Sequence, residues 1–333
     1  MLLLNCATRT GISLSAVSVR DGSLITSASG DMPADANPGG SYACHDGGDG
    51  YPSSSALRQM FNEDYSLMAG RMTGPANTGR QAVAFDVRTG LPVGPGADDQ
   101  ALPDPPQDSY PVFHDGDLWY VDGRGRLRSR PPLSPAKDAR DRGPAVDADG
   151  GPLSEVSFGG GVAWRDEDSD MDESAVHPTG GYIAEHNPIW NQLQLREHGA
   201  QHTVGTPLSR SVDYGGEGPE IPRGSAEVPD CAPEFWLSNR DLICSGAGKK
   251  NAGILRVRFT ADLEIVRDVE PLPIGTGAPS YGAVPSPDKK QIAFLAERAG
   301  KVEVYRQQLR TGAHPVKIAE TSDAGVTYLL GWN

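Results

Sequence analysis

A run of acidic residues is the most conspicuous candidate for chemistry in this sequence. Asp166, Asp168, Asp170 and Asp172 alternate along the stretch 165–173. Carboxylates at this spacing could surround a hard cation such as calcium, which takes six to eight oxygen ligands. The stretch lacks the central glycine and the downstream glutamate of an EF-hand loop. We therefore favour a solvated loop with no cofactor, and calcium bound by these four aspartates is the alternative.

Two histidines stand at comparable positions in two predicted turns. His114 opens the turn His-Asp-Gly-Asp, and His177 opens the turn His-Pro-Thr-Gly. If both turns belong to equivalent repeats arranged in a ring, both side chains could point to one rim of the central channel. A histidine cluster there could bind a ligand or a metal, whereas a turn histidine can equally serve as a hydrogen-bonding structural residue.

The sequence carries no motif that assigns a catalytic residue. A nucleophile elbow of the form Gly-x-Ser-x-Gly does not occur in the chain. The glycine-rich pieces lack the strand-to-helix context and the Lys-Ser/Thr pair of a phosphate-binding loop. No catalytic residue is therefore predicted, and a protein without enzymatic activity is favoured.

The elements that would position these residues are clearest in the unit Val284–Gly312. A polar turn at 285–290 leads into the apolar strand 291–296. A second turn around Gly300 is followed by alternating apolar and polar residues over 302–309. This pattern predicts an antiparallel meander of half-buried strands.

The same unit resembles the SPDG-type repeat of TolB-like and WD40-like (PD40-type) β-propellers. Ser286, Pro287, Asp288 and the strand residues 292–294 match the repeat, and Lys289 replaces its glycine. A left-handed backbone at Lys289 would cost about 1 kcal/mol. The resemblance implies an all-β propeller fold and carries little information about activity.

Degenerate copies of the turn-then-strand unit recur along the chain and predict six blades in a single domain, 1–333. The first strong apolar residues after each turn are Leu3, Leu67, Leu118, Ile183, Leu242 and Ile292. Residues 28–56 are predicted to form a linker, and residues 154–165 an outer strand of the third unit. Segments at about 1–30 and 324–333 would share the terminal blade and so close the ring. Seven blades are the alternative, if residues 131–165 contain one more.

The ends of the innermost strands should be apolar and close-packed. The residues expected in this core are Val112, Val176, Phe235, Val284, Tyr328, Leu329 and Leu330.

Composition limits the range of partners. The formal net charge is −14 and the isoelectric point is near 4.9. Such a surface repels phosphates, and no basic stripe with interleaved aromatic residues is present, which disfavours nucleic acid as a partner. No run of about 18 apolar residues occurs, so no membrane-spanning segment is predicted.

The cysteines bear on the cellular compartment. Cys6, Cys44, Cys231 and Cys244 lie outside any Cys-x-x-Cys motif, which disfavours a zinc site. Buried free thiols are the favoured interpretation, and one or two disulfides in any of three complete pairings are the alternative. Disulfides would imply an extracytoplasmic location, with a leader missing from the given chain, whereas free thiols would fit the cytoplasm.

These observations favour a monomeric, non-catalytic binding or scaffold module that contacts a protein or peptide across one face. The alternative is a propeller enzyme, a hydrolase or lyase, that acts on a saccharide or other small molecule at the central tunnel. A third interpretation is an inert extracytoplasmic domain cut from a longer membrane-tethered protein. Convergent histidines and carboxylates at the tunnel would favour an enzyme, and a plugged tunnel would favour binding.

Overall fold

The computed structural model is a six-bladed β-propeller built almost entirely from antiparallel strands. It describes residues 1–6, 11–31, 54–73, 79–94, 107–145, 155–158, 162–165, 174–187, 192–197, 226, 230–246, 253–272, 279–310, 312–321 and 326–332. Among these residues no helix has the length and apolar character needed to cross a membrane.

The first blade is closed by the two ends of the chain. Its sheet has the order β24-β1-β2-β3, with the bounds β1 Leu2–Cys6, β2 Gly11–Val17, β3 Leu24–Asp31 and β24 Val326–Gly331. In the β1–β24 pair, Leu4 lies opposite Tyr328. The buried Thr327 hydroxyl donates a 2.8 Å hydrogen bond to the Asn5 side chain. The predicted closure of one blade by both chain ends is confirmed.

The next two blades follow in chain order. The strands of the second blade are β4 Leu67–Thr73, β5 Arg80–Asp86 and β6 Pro92–Val93. The strands of the third blade are β7 Val112–His114, β8 Asp117–Val121, β9 Arg126–Arg130 and β10 Arg140–Pro144. A short 3₁₀ turn, Ala136–Asp138, precedes β10. The third blade therefore takes its outer strand from residues 140–144.

A two-stranded hairpin lies beside the third blade. Its strands are β11 Glu155–Phe158 and β12 Val162–Arg165. Strand β11 contacts β7 and β8, and Val156 packs into an apolar cluster with Val112 and Val121. The prediction that residues 154–165 form the outer strand of the third unit is therefore wrong. Residues 131–165, the proposed place for a seventh blade, supply β10 and this hairpin.

The remaining three blades complete the ring. The strands of the fourth blade are β13 Ser174–Val176, β14 Tyr182–Asn187 and β15 Gln192–Glu197. The strands of the fifth blade are β16 Cys231–Ser238, β17 Asp241–Gly246, β18 Gly253–Phe259 and β19 Val266–Pro271. The strands of the sixth blade are β20 Ser280–Pro285, β21 Gln291–Arg298, β22 Lys301–Gln308 and β23 Val316–Thr321.

The hydrophobic core lies between neighbouring blades. Ile243 and Ile254 of the fifth blade pack against Ala283, Ile292 and Phe294 of the sixth. Strand β21 is buried on both faces over its central residues because a blade covers each side. The seven residues expected in the core from the sequence are all buried, which confirms that prediction.

A short helix lies at the centre of the ring. Helix α1, Ser54–Gln59, contacts the innermost strands β7, β13, β16, β20 and β24 and also β11. The residues that follow α1 take the place of an innermost strand in the second blade. Phe61 forms an isolated antiparallel β-bridge with Met68, and the Ala69 N–H donates to the Met60 carbonyl at 2.7 Å. Leu57 and Phe61 are fully buried. The prediction of a linker over residues 28–56 is therefore wrong at both ends, because β3 extends to Asp31 and α1 begins at Ser54.

The cysteines form disulfides. Cys231 and Cys244 are bonded across β16 and β17, both sulfurs are buried, and Cys6 is disulfide-bonded as well. Among the described residues no cysteine is free. The favoured prediction of buried free thiols is therefore wrong for these three residues. The sequence could not decide this, because the proximity of two cysteines depends on strand register.

Candidate functional site

His177 is a structural histidine between the fourth and fifth blades. Its Nδ1 is 2.8 Å from the Thr179 hydroxyl, and its Nε2 is 3.1 Å from the Asn239 carbonyl oxygen. The ring also meets Trp236 edge to face at 4.6 Å between centroids. Since Nε2 faces an acceptor, that nitrogen carries the proton of the neutral ring. Burial lowers the pKa of His177, which keeps the ring neutral.

His114 lies in an aromatic cluster on the third blade. Its ring stacks on Phe158 at 3.9 Å between centroids, and Trp119 meets it edge to face at 6.0 Å. The Trp119 Nε1–H donates to the His114 carbonyl at 3.1 Å, and the Arg142 guanidinium lies 4.9 Å from the Trp119 ring centroid. The faces of these rings are largely occupied by one another.

The structure gives the two histidines different surroundings, and in the described part of the chain no contact joins their rings. Their place on a common rim therefore stays a prediction. The four aspartates Asp166, Asp168, Asp170 and Asp172 lie outside the described residues, so the calcium site also stays a prediction. Within the residues that are described, no group of three or more His, Cys, Asp or Glu side chains could hold a metal ion.

Buried charged groups elsewhere hold the blades together. Asp108 and Arg130, both from the third blade, clamp the peptide groups of Ala82 on β5. The Ala82 N–H donates to Asp108 Oδ2 at 3.0 Å, and Arg130 Nη2 donates to the Ala82 carbonyl at 2.7 Å. Burial raises the pKa of Asp108 to about 6 and that of nearby Tyr120 to about 12. Together these contacts bind the second blade to the third.

A similar polar contact joins the fifth and sixth blades. Glu234 on β16 is buried, and its Oε1 accepts hydrogen bonds from the Ser245 hydroxyl at 2.5 Å and from the Gly282 N–H at 2.7 Å. Gly282 has φ +65°, a left-handed conformation that places its N–H at a bulge in β20. This carboxylate therefore has a structural role.

A solvent-accessible cleft lies on the fifth blade, and we call it the arginine cleft. It has a volume of about 450 Å³. Four arginines, two aspartates and one phenylalanine line it: Arg240, Asp241, Arg256, Arg258, Phe259, Arg267 and Asp268. The alternation of β18, with sequence Gly-Ile-Leu-Arg-Val-Arg-Phe, creates it. Leu255 and Val257 point into the core, which places Arg256 and Arg258 together on the opposite face.

Two of the arginines are held in place by carboxylates. Asp241 Oδ1 accepts a hydrogen bond from Arg256 Nε at 3.0 Å, and Arg256 Nη2 lies 2.9 Å from the same oxygen as an ion pair. Arg258 donates from Nη1 to Asp268 at 2.7 Å and from Nη2 to Glu270 at 2.6 Å. These charge-assisted bonds run across three neighbouring strands and fix the planes of both guanidinium groups.

The other two arginines are not held by a close ion pair with any described residue. Arg240 and Arg267 are exposed, and among the described residues neither guanidinium has an ion-pair partner. The lining therefore presents four guanidinium groups against the carboxylates of Asp241 and Asp268. With Glu270, which is bonded to Arg258, these residues carry more guanidinium groups than carboxylates, and Asp262, which interacts electrostatically with Arg240, lies outside the lining. This contrasts with the net charge of −14 of the whole chain.

Sequence reasoning missed the arginine cleft, although a signal was present. Arg256 and Arg258 are two residues apart in a segment that alternates apolar and polar residues, so in a strand they share a face. The contributions of Arg240 and Arg267 were not visible, because they depend on the pairing of β17, β18 and β19.

Comparison with solved structures finds several proteins that are similar to the chain. The chain resembles TolB from Acinetobacter baumannii (14% identity over 94% of this chain and 67% of that chain, TM-score 0.36). The six-bladed ring is the fold that the TolB-like repeat predicted. A PQQ-bound aldose sugar dehydrogenase from Streptomyces coelicolor is also similar (11% identity over 88% and 87% of the two chains, TM-score 0.42).

BamB from Moraxella catarrhalis is a further structural neighbour (11% identity over 88% of this chain and 63% of that chain, TM-score 0.28). No protein-family model and no curated protein matches the sequence. At these identities and TM-scores, the neighbours assign no function to the chain.

Proposed function

We propose that the chain is a non-catalytic β-propeller that serves as a binding or scaffold module and contacts a protein or peptide segment. The observation that carries this proposal is the position of α1. The helix lies among the innermost strands at the centre of the ring, where a central tunnel would otherwise offer a site. A propeller whose centre is occupied by its own chain retains its outer surface for recognition.

The surroundings of the helix support the same conclusion. The Phe158 N–H donates to Gln59 Oε1 at 2.6 Å, which ties α1 to the β11–β12 hairpin. Arg58 Nη1 donates to the Phe61 carbonyl at 2.9 Å, and Leu57 is buried. An enzyme acting on a saccharide or small molecule at the tunnel would need this helix to leave its contacts.

The disulfides favour an oxidising compartment. Structural disulfides form and persist in secreted and periplasmic proteins and are rare in the cytosol. The buried Cys231–Cys244 bond therefore supports an extracytoplasmic location. We further propose that the chain acts as a monomer, which light scattering on the purified protein would test by comparing its mass in solution with 35.3 kDa.

A peptide array tests the proposed function. The labelled protein would be applied to peptides about 15 residues long, grouped as acidic, basic, apolar and neutral. Binding of at least one class, retained after competition with the same free peptide, is the expected result. If no class binds, and the protein instead cleaves chromogenic saccharides, the enzyme alternative replaces the binding module.

A further inference from the structure

We propose that the arginine cleft binds an acidic segment of a partner protein, one in which two or more Asp or Glu side chains lie close together. This proposal rests on the proposed function of the chain as a protein-binding module. A guanidinium group offers paired N–H donors in a planar fork that matches the two oxygens of a carboxylate. The cleft places four such groups around one cavity of about 450 Å³.

The cleft combines fixed and adaptable arginines. Arg256 and Arg258 are held by Asp241, Asp268 and Glu270, so they lose little conformational freedom when a ligand arrives. Arg240 and Arg267 are exposed and free to close on a carboxylate. The first pair gives the site a preset shape, and the second pair adds positive charge that no close ion pair among the described residues neutralises.

The mixed lining favours a peptide over a phosphate or a nucleic acid. The carboxylates of Asp241 and Asp268 repel every anion at close range, but they repel a phosphate dianion more strongly than the single charge of one carboxylate. The same carboxylates can accept hydrogen bonds from the backbone N–H groups of a peptide. The chain as a whole carries −14, which disfavours a long polyanion, whereas a short acidic segment can reach a local positive site.

The position of the cleft suits a macromolecular partner. It lies over β17, β18 and the outermost described strand β19, away from the helix at the centre of the ring. Arg240 and Arg267 are exposed, so a partner can reach both without opening the core.

Fluorescence anisotropy tests the proposal with a labelled octapeptide of alternating Glu and Ser. The double variant R240A/R267A should raise the Kd at least 10-fold. The matched control R20A/R310A removes two exposed arginines from other blades and should change the Kd less than 2-fold. An octapeptide of alternating Gln and Ser should bind poorly to all three proteins. Equal thermal melts would show that each variant is folded.

A charge-reversal variant gives a second, independent readout. R240E/R267E should lose the Glu-Ser octapeptide and gain affinity for an octapeptide of alternating Lys and Ser. The proposal is overturned if R240A/R267A binds the Glu-Ser peptide as tightly as the control does, or if inorganic phosphate displaces it at equal concentration. If basic or apolar array peptides still bind in that case, the proposed function stands and only the cleft is wrong. If no peptide class binds, the function itself fails.

Discussion

Lys289 replaces the glycine of the repeat and strains the backbone. Its φ is +54°, the left-handed conformation that the repeat normally assigns to glycine. The turn is otherwise well bonded, since Asp288 Oδ1 accepts from the Ser286 hydroxyl at 2.7 Å and from the Lys290 N–H at 3.1 Å. The left-handed position was predicted from the sequence because the surrounding motif fixes the turn type.

Lys289→Gly is therefore expected to stabilise the protein. Relief of the left-handed strain contributes about 1 kcal/mol, and the greater freedom of glycine in the unfolded chain offsets part of it. We expect a net gain of roughly 0.5 kcal/mol in the free energy of unfolding, measured by urea denaturation. Lys290→Gly is the control, because Lys290 has no positive φ, and it should be neutral or destabilising. A loss of stability in Lys289→Gly would show that the left-handed backbone at this position is not strained.

Asp108 should make the free energy of unfolding fall as the pH rises, whereas a carboxylate with a lowered pKa makes it rise. Its pKa is raised to about 6 in the folded protein, chiefly by burial and further by Asp122, while Arg130 and Arg128 act against the rise. The folded state therefore prefers the protonated form. This contribution to stability is complete below the unfolded pKa of about 3.8 and is lost as the pH rises through about 6.

Asp108→Asn should remove this contribution to the pH dependence. Between about pH 4 and pH 6, the free energy of unfolding of the unmodified protein should fall relative to that of the variant by up to about 3 kcal/mol. The difference between the two curves isolates Asp108 from carboxylates with lowered pKa values, such as Asp86 and Asp141. Parallel curves across this range would show that Asp108 is not buried as described.

Among the elements of the fold, the local sequence specifies the strands, whereas tertiary contacts specify helix α1 and the arginine cleft. The six apolar residues that open the repeats all lie in strands, because alternation and turn residues fix strands locally. Helix α1 was not predicted, because a helix of six residues is stabilised by burial of Leu57 rather than by its own propensity. The arginine cleft depends on the pairing of three strands and was equally invisible.

The Cys231–Cys244 disulfide should stabilise the fifth blade. It closes a short loop, with a sequence separation of 13, between β16 and β17. Constraint of the unfolded chain by a loop of this size contributes about 3 kcal/mol. The variant C231A/C244A should lose stability of that order in chemical denaturation under oxidising conditions. If its stability equals that of the unmodified protein under the same conditions, the bond does not form in solution.

At the scale of the whole molecule, the ring depends on its terminal strand. β24 is the innermost strand of the first blade, and it contributes Tyr328, Leu329 and Leu330 to the clusters on both sides. Without it, β1 would present an unpaired edge toward the centre of the ring. The number of blades and their closure could be predicted from the repeats, because the incomplete first and last units complement each other.

Ending the chain at residue 325 should therefore unfold the propeller as a whole. We expect loss of the cooperative thermal transition, measured by circular dichroism, together with exposure of apolar surface. Removal of residue 333 alone leaves β24 intact and should melt like the full chain. If the chain ending at residue 325 melts cooperatively at the melting temperature of the full chain, β24 does not close the ring.

We expect recognition to take place in the arginine cleft and not at the centre of the ring. The most direct test is an NMR titration of the ¹⁵N-labelled protein with the Glu-Ser octapeptide, observing backbone amides and arginine Nε–H signals. We predict shifts concentrated at Arg240, Arg256, Arg258 and Arg267, with the signals of Leu57 and Phe158 unchanged. Shifts at Leu57 and Phe158 with an unperturbed cleft would contradict the claim and return the tunnel to consideration.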